Sequence, residues 1–544
     1  MGEKNLEYLD AAVAHPSGDV SRFVDAGYWT DETPQRWLAD WAKKRPDAPA
    51  AIGIGEMVSF GELYDRARRI ATGLLRIGFH KGDVIGIQVP NSWQFMALLH
   101  GIQLIGGVPC LLHMPYRAGE LGPMLAHARA KGVVCYNALS DYDAPATMRE
   151  TQKAVPSLET IIVADGEAPA GTVALADLLA TEPSDIADPP GPSDPGLIAF
   201  TSGTSKSPKA VVHSYRTLSS CFRMSVATTG WTPEDVVLSA PPYTHIFGVI
   251  VLTTALCAGA ASALMPAYSP KMLAETMSKT RTTSLCCGPA HVFATARAGL
   301  LGPGTTDTLR SAFVGGSASP PEAIQALQNT SPNGRIYQIW GMTEVLLGVL
   351  SPLDASLEVR LGSIGKASVG HDLRVVANDD TVLGTDQEGE LQIRGPFVIH
   401  RYLDNDQANR DAFTEDNWYR TGDLVRIDAD GNLFMTGRVK DIINRGGIKI
   451  NPVDIELALE EHPGIAQAAI IPYPDEVLGE RACLVIIPSE GNALSMEEMQ
   501  RYLASRDIAK MRWPERIETV KAMPMTPTRK IIKGALGRQV LGTA

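Results

Sequence analysis

Along the first 300 residues, short apolar runs alternate with stretches of helical spacing. Residues 84–89, 132–135, 160–163, 196–200, 210–213, 236–238 and 284–287 read as short strands, and 93–105 has the period of a helix. Uninterrupted apolar strands are those covered on both faces, so this alternation predicts a mainly parallel sheet flanked by helices. From about 364 to 425 the texture changes to short alternating segments punctuated by Gly and Asp, such as 373–376 and 389–394. They predict a small antiparallel, barrel-like β unit. After Gly437, Asn451 as N-cap, Pro452 in the first turn and Asp454 beside it open a helix with Ile455, Leu459 and His462 on one face. Strands at 468–472 and 482–487 and a capping box at Ser495–Glu498 complete an α+β module. The expected division is 1–437 and 438–544. The apolar run 249–265 contains Thr253, Thr254, Gly259 and Ser262, and it predicts a buried helix rather than a membrane span. The Pro- and Asp-rich 168–194 predicts a surface excursion.

Composition narrows the function classes. A chain of 544 residues needs more than one core, and 44% hydrophobic with 20% charged residues is the balance of a soluble globular protein. The net charge of −12 argues against a general binder of nucleic acid or anionic membranes. An anionic ligand must therefore be held by a local site. Seven cysteines, odd in number and with no CxxC pair, argue against a disulfide framework or a zinc site. They fit a reducing cytoplasm, and adjacent Cys286 and Cys287 read as core. The opening MGEKNLEYLD has no apolar signal segment, and Leu6 stands where a myristoylation motif wants Ser or Thr. The expectation is a soluble cytoplasmic protein.

One stretch carries chemistry: FTSGTSKSPKAVVHS, 200–214. Between two apolar strands it places hydroxyls, a glycine and two lysines. Backbone N–H groups and hydroxyls can wrap phosphate oxygens while a lysine supplies charge. Alone, such a loop is read equally well as a solvated hairpin.

Further segments follow in order: PPYTHIFGV (241–249), FVGGSASPPE (313–322), YQIWGMTE (337–344), YRTGDL (419–424), GRVKDIINRGGIKINPVDIE (437–456) and MTPTRKI (525–531). Together they resemble the acyl-adenylate-forming (ANL) superfamily, which includes acyl-CoA synthetases and aryl-acid AMP ligases, over the chain from Ala26 onward. The resemblance implies a large nucleotide- and acid-binding domain of doubly wound sheets and a small mobile lid. It implies that a carboxylate attacks the α-phosphate of ATP and that a thiol then displaces AMP. Two anions meet in that reaction, so cations and fixed dipoles are needed where charge gathers. Thr201, Ser202, Gly203, Thr204 and Lys209 match the phosphate loop, and Glu344 with Thr204 match the Mg²⁺ position. Gly315, Gly316, Ser317, Ile339, Trp340, Gly341, Met342 and Thr343, with Met435, match the nucleotide pocket. Asp423 and Arg438 match the ribose contacts and Lys440 the hinge. Lys530 matches the lysine brought in for adenylation, and Gly446 and Gly447 the thiol tunnel. Taken singly, Glu344 also reads as a first-turn helix acid, Asp423 as a turn residue, Trp340 as core and Lys530 as a solvated charge.

Three positions depart from the family pattern: Lys206, Ala210 and Arg529 stand where glycine is usual. A non-glycine residue held at positive φ costs on the order of 1 kcal/mol. In relatives that activate dihydroxybenzoate, an Asn reads the ring hydroxyl where this chain has Ile246, after His245 and before Val249. An isoleucine offers no partner to a hydroxyl. The resemblance therefore implies an apolar acid (aryl-alkanoic, alicyclic or medium-chain) passed to coenzyme A. A carrier-protein thiol is the less favoured acceptor, a homodimer is compatible, and His245 also reads as a core histidine. The alternative of another class is a degenerate nucleotide- or acyl-binding regulator.

Overall fold

A computed structural model describes residues 2–137, 142–201, 208–317, 319–446, 448–489, 494–506, 508–526 and 529–542. The chain forms two compact units, Met1–Asp372 with Ile393–Tyr419, and Leu373–Gln392 with Arg420–Ala544.

The first unit is layered α/β. A seven-stranded sheet runs in the order Val173–Ala174, Thr160–Val163, Gly132–Cys135, Val84–Gln88, Val108–Leu111, Pro195–Thr201, Lys209–Ser214. The pairs from Val173–Ala174 to Pro195–Thr201 are parallel, and Lys209–Ser214 returns antiparallel as the edge. A nine-stranded sheet has the parallel strands Val236–Ser239, Ala261–Ala263, Ser284–Cys287, Ser311–Gly315 and Arg335–Met342 at its centre, with Leu346–Leu350 antiparallel beside the last.

Strand alternation shows why these runs are apolar throughout. Ile85, Ile87 and Val134 point into a core shared with Pro34–Lys44, Phe60–Arg76, Trp93–Leu104 and Ile246–Ala258, helices lying between the sheets. Val84, Val133 and Cys135 point the other way, into a core under Gly2–Val13, Ala118–His127 and Ala144–Ala154. In the larger sheet Leu285 and Cys287 face one core and Cys286 the other. The result is five layers, with helices outside and between two sheets. The second unit carries most of a four-stranded sheet, Asp372–Val376, Gly389–Arg394, Tyr419–Ile427, Leu433–Arg438. It also carries a five-stranded sheet built on the long hairpin of Ile465–Asp475 and Gly479–Pro488, packed against Pro452–Glu460 and Met496–Ser505.

Two expectations are corrected. The run 249–265 is not one helix: Ile246–Ala258 ends at Gly259, φ 75°, and Ala261–Ala263 is a central strand. A Cβ at Gly259 would lie 2.5 Å from the Trp41 ring, so the left-handed stop is also a packing contact. The excursion 168–194 is partly docked, because Leu175 and Leu178 are buried and Leu178 packs on Gly73 of Phe60–Arg76. Among the described residues no helix is long and apolar enough to cross a membrane.

The glycine replacements part company here. Ala210 lies in a regular strand, paired with Phe200, where the backbone makes no demand for glycine. Arg529 stands at φ 63° in a turn where Thr526 N donates to Lys530 O and Arg529 N to Thr526 O, both at 2.8 Å. Lys206 lies outside the described residues. Arg529→Gly relieves the left-handed strain but adds chain entropy to the unfolded state. A net gain of about 0.5 kcal/mol is expected for the second unit, read as a higher denaturant midpoint.

Candidate active site

The hairpin of Pro195–Thr201 and Lys209–Ser214 carries the loop chemistry. Thr201 pairs with Lys209, which fixes both loop ends across one rung. Ser202, Gly203 and Thr204 lie outside the described residues. Lys209 extends its ammonium to 4.7 Å from the ring centroid of Tyr402.

A second hairpin, Arg335–Met342 with Leu346–Leu350, presents Thr343 and Glu344 in its turn. Glu344 is thus a turn residue, not a first-turn helix acid. The pairing is bulged at Trp340/Gly341, and a Cβ at Gly341 would lie 2.0 Å from Leu346 O. Leu346 follows at φ 58°, a left-handed conformation costly for a branched side chain. Glu344 is 5% exposed; its carboxylate accepts the Tyr402 hydroxyl at 2.7 Å and its carbonyl accepts Ile399 N at 2.9 Å. Burial raises the Tyr402 phenol well above its ordinary pKa, so it stays protonated and donates. His213 ties this turn to the first hairpin: its Nε2 meets Thr343 O at 2.7 Å, and Nδ1 lies 3.3 Å from Thr217 Oγ1. Complete burial holds His213 down to about 4, so the ring is neutral and its proton sits on Nε2, facing the carbonyl.

The remaining segments of the first unit meet beside these. Gly315 pairs with Ile339, whose carbonyl would lie 2.4 Å from a Cβ there. At Gly316, φ 89°, the nearest neighbour of a Cβ would be the Phe247 ring at 3.7 Å. Ser317 is exposed and Met342 half-buried. Trp340 is 8% exposed, its ring filling the place of a side chain at Gly348. His245 caps Ile246–Ala258, its Nδ1 accepting Phe247 N at 3.1 Å. Its ring stacks on His113 at 5.8 Å, and His113 Nδ1 lies 3.0 Å from Thr244 Oγ1. Burial holds His113 down to about 4 as well. Ile246 and Val249 belong to the core between the sheets. Asn91 fixes the preceding loop, accepting Tyr243 N at 2.6 Å and donating to Pro241 O at 3.1 Å.

In the second unit Asp423 and Arg438 are register partners, joined Nε to Oδ1 at 2.7 Å. Asp423 is 1% exposed, and Gly422 before it has φ 70°. Met435, half-buried, pairs with Val425. Lys440 stands exposed in the turn Val439–Asp441. Gly446, φ 57°, donates to Leu478 O at 2.8 Å, and Gly447 lies outside the described residues. Lys530 is half-buried in the Thr526 turn, its N donating to Thr526 Oγ1 at 3.0 Å.

Tyr402, His213, His113 and Phe247 were not singled out by sequence. Phe247 sits inside a recognised motif and was readable. Tyr402 and His213 act through Glu344 and Thr343, 58 and 130 positions away, which no spacing rule reveals. Among the described residues no group of three or more His, Cys, Asp or Glu could hold a metal. A lone buried carboxylate suits Mg²⁺, which keeps its waters and binds largely through substrate phosphates.

Comparison with known proteins identifies the family. The model of the AMP-binding enzyme family matches residues 38–403, and that of the AMP-binding enzyme C-terminal domain matches 454–530. A 2-hydroxy-7-methoxy-5-methyl-1-naphthoate–CoA ligase of Streptomyces carzinostaticus is 31% identical over 96% of both chains. A salicyl-AMP ligase / salicyl-S-ArCP synthetase of Mycobacterium tuberculosis is 32% identical over 98% of this chain and 95% of its own. The structure of apo MbtA from Mycobacterium smegmatis superposes with a TM-score of 0.74 at 28% identity, covering 98% of this chain and 99% of that one. With two family models spanning most of its length and relatives above 30% identity from end to end, the chain belongs to the AMP-binding enzymes, the adenylate-forming acid ligases that use ATP.

Proposed function

We propose that this chain joins an apolar carboxylic acid, an aromatic one first among them, to coenzyme A by way of an acyl-adenylate. The observation that carries the reading is the network in which His213 and Tyr402 tie Lys209, Thr343 and Glu344 together. Residues from two distant motifs, with Tyr402 from outside both, are held together there by buried hydrogen bonds and a cation–ring contact, the preorganisation that phosphoryl chemistry requires.

In the first step a substrate carboxylate oxygen bonds to the α-phosphorus as the bond to pyrophosphate breaks. Lys209, with Thr201, Ser202, Gly203 and Thr204, would neutralise and orient the departing phosphates. Glu344 and Thr204 would hold Mg²⁺, which supplies further neutralisation of the triphosphate when bound. Asp423, already oriented by Arg438, would take the ribose hydroxyls. Gly315, Gly316, Ser317, Ile339, Trp340, Gly341, Met342, Thr343 and Met435 would surround the base. Lys530 would bring its charge to the substrate carboxylate. In the second step the thiol sulfur bonds to the acyl carbon and AMP leaves with the electron pair of the broken C–O bond. The division at 437/438 would separate the two steps, with Lys440 as hinge and Gly446 and Gly447 beside the thiol.

For the acid, the Phe247 ring beside Gly316, with Ile246 and Val249 behind it, supports an apolar body. His245 stacked on His113, with Thr244 adjacent, supports a polar end. The relatives named for naphthoate and salicylate support an aromatic acid. The name of the salicyl relative also favours the second reading, a carrier-protein thiol in place of coenzyme A.

Two outcomes are expected. Across a panel of aryl, aryl-alkanoic, alicyclic and medium-chain acids, acid-dependent ATP–pyrophosphate exchange should be strongest with an aromatic ring. The product should form on coenzyme A at least about tenfold more efficiently than on a phosphopantetheinylated carrier, a margin of about 1.4 kcal/mol. Clean ATP binding with no exchange for any acid would point to a regulator. Secondly, Lys530→Ala should lower adenylation by roughly 10²-fold or more, the scale of losing one charge-stabilising group. Thiol transfer from supplied acyl-adenylate should stay near wild type, and equal loss in both half-reactions would contradict the assignment.

A further inference from the structure

Tyr402 belongs to none of the motifs behind this reading, yet it touches both charged groups assigned to the phosphates and the metal. Its hydroxyl donates to Glu344 Oε1 at 2.7 Å, and the Lys209 ammonium lies 4.7 Å from its ring centroid. The tyrosine is itself held from several sides. Asn409 Oδ1 accepts Tyr402 N at 2.6 Å, and Asn409 Nδ2 donates to Tyr402 O at 3.3 Å. The next residue, Leu403, donates its N to Ala210 O at 3.0 Å, and its carbonyl meets His127 Nε2 at 2.9 Å. The Tyr419 hydroxyl lies 3.1 Å from that of Tyr402, and Phe413 packs edge-on against the ring.

An ammonium and a carboxylate in one buried region attract strongly, and once paired they neutralise each other. A ring face holds a cation without cancelling its charge. A neutral hydroxyl orients a carboxylate in the same way. We propose that Tyr402 is a positioning residue that keeps Lys209 and Glu344 from pairing with each other, so that the cation stays available to phosphate and the carboxylate to magnesium. The inference rests on the roles proposed above for Lys209 and Glu344. It adds a residue that touches neither ligand and acts through both.

The test is calorimetric titration of the full chain with ATP, without any acid, once in Mg²⁺ and once in EDTA. In the wild type, Mg²⁺ should tighten ATP binding. Tyr402→Phe keeps the ring face and removes only the donor. The gain from Mg²⁺ should fall about tenfold, as for a lost hydrogen bond to a charged group. Affinity in EDTA and the unfolding midpoint should remain near wild type. Tyr402→Leu removes the ring as well and should weaken ATP binding in EDTA too. If the leucine variant does not fold, the phenylalanine variant decides alone. A wild-type Mg²⁺ gain in Tyr402→Phe would overturn the proposal. So would equal loss with and without Mg²⁺ accompanied by a lowered midpoint, the mark of a residue that only props the fold. A wild type indifferent to Mg²⁺ would overturn both this inference and the site roles beneath it. A normal Mg²⁺ gain in the wild type that Tyr402→Phe leaves unchanged would overturn this inference only.

Discussion

An edge strand cannot leave its outward backbone groups unmet, and in this molecule the edge is Lys209–Ser214. Its neighbour on the inner side is Pro195–Thr201; on the outer side Ala210 O accepts Leu403 N. That contact anchors Leu403 to the edge strand, one residue from Tyr402. Ile399 reaches the carbonyl of Glu344, Tyr402 reaches its carboxylate, and His213, from the same edge strand, reaches Thr343. Sheet termination and site assembly are thus one event. Removing the His213 ring would leave the Thr343 carbonyl without its donor, at a cost of about 1–3 kcal/mol.

How much of this the sequence disclosed depends on whether a feature is local. Strands buried on both faces are apolar at every position, so the sheets were readable from runs such as 84–89 and 284–287. The run 249–265 misled because an apolar helix and an apolar strand separated by Gly259 look continuous until the left-handed stop is seen. The hydroxyl- and lysine-rich make-up of 200–214 was readable from composition, whereas 202–207 lie outside the described residues. Tyr402 and His213 were not, since a tyrosine in HRYLDN and a histidine ending a strand carry no signal of the partners that tertiary packing supplies.

The glycine replacements illustrate the same limit. Ala210 and Arg529 were equivalent departures in one dimension. In three, one occupies an ordinary strand pair and the other a left-handed turn, so the same substitution type costs almost nothing at the first and a measurable amount at the second. Arg529 adjoins Lys530, so the strain is stored next to the residue proposed to deliver charge to the carboxylate. Strain of this kind persists where surrounding structure over-determines it, and the Thr526 turn supplies that with two backbone bonds and one side-chain bond.

A chain of net charge −12 that handles a polyanion has to concentrate cations locally and keep its own carboxylates from consuming them. The two units do this differently. In the second, Asp423 and Arg438 are paired across a rung, which orients the carboxylate and leaves little net charge there. In the first, the ammonium of Lys209 rests on a ring face and Glu344 on a neutral hydroxyl, neither of which is an opposite charge. Ribose hydroxyls need oriented acceptors, whereas a triphosphate needs uncancelled charge. The contrast between a closed ion pair and two charges held on one tyrosine fits the roles proposed for Asp423, Lys209 and Glu344.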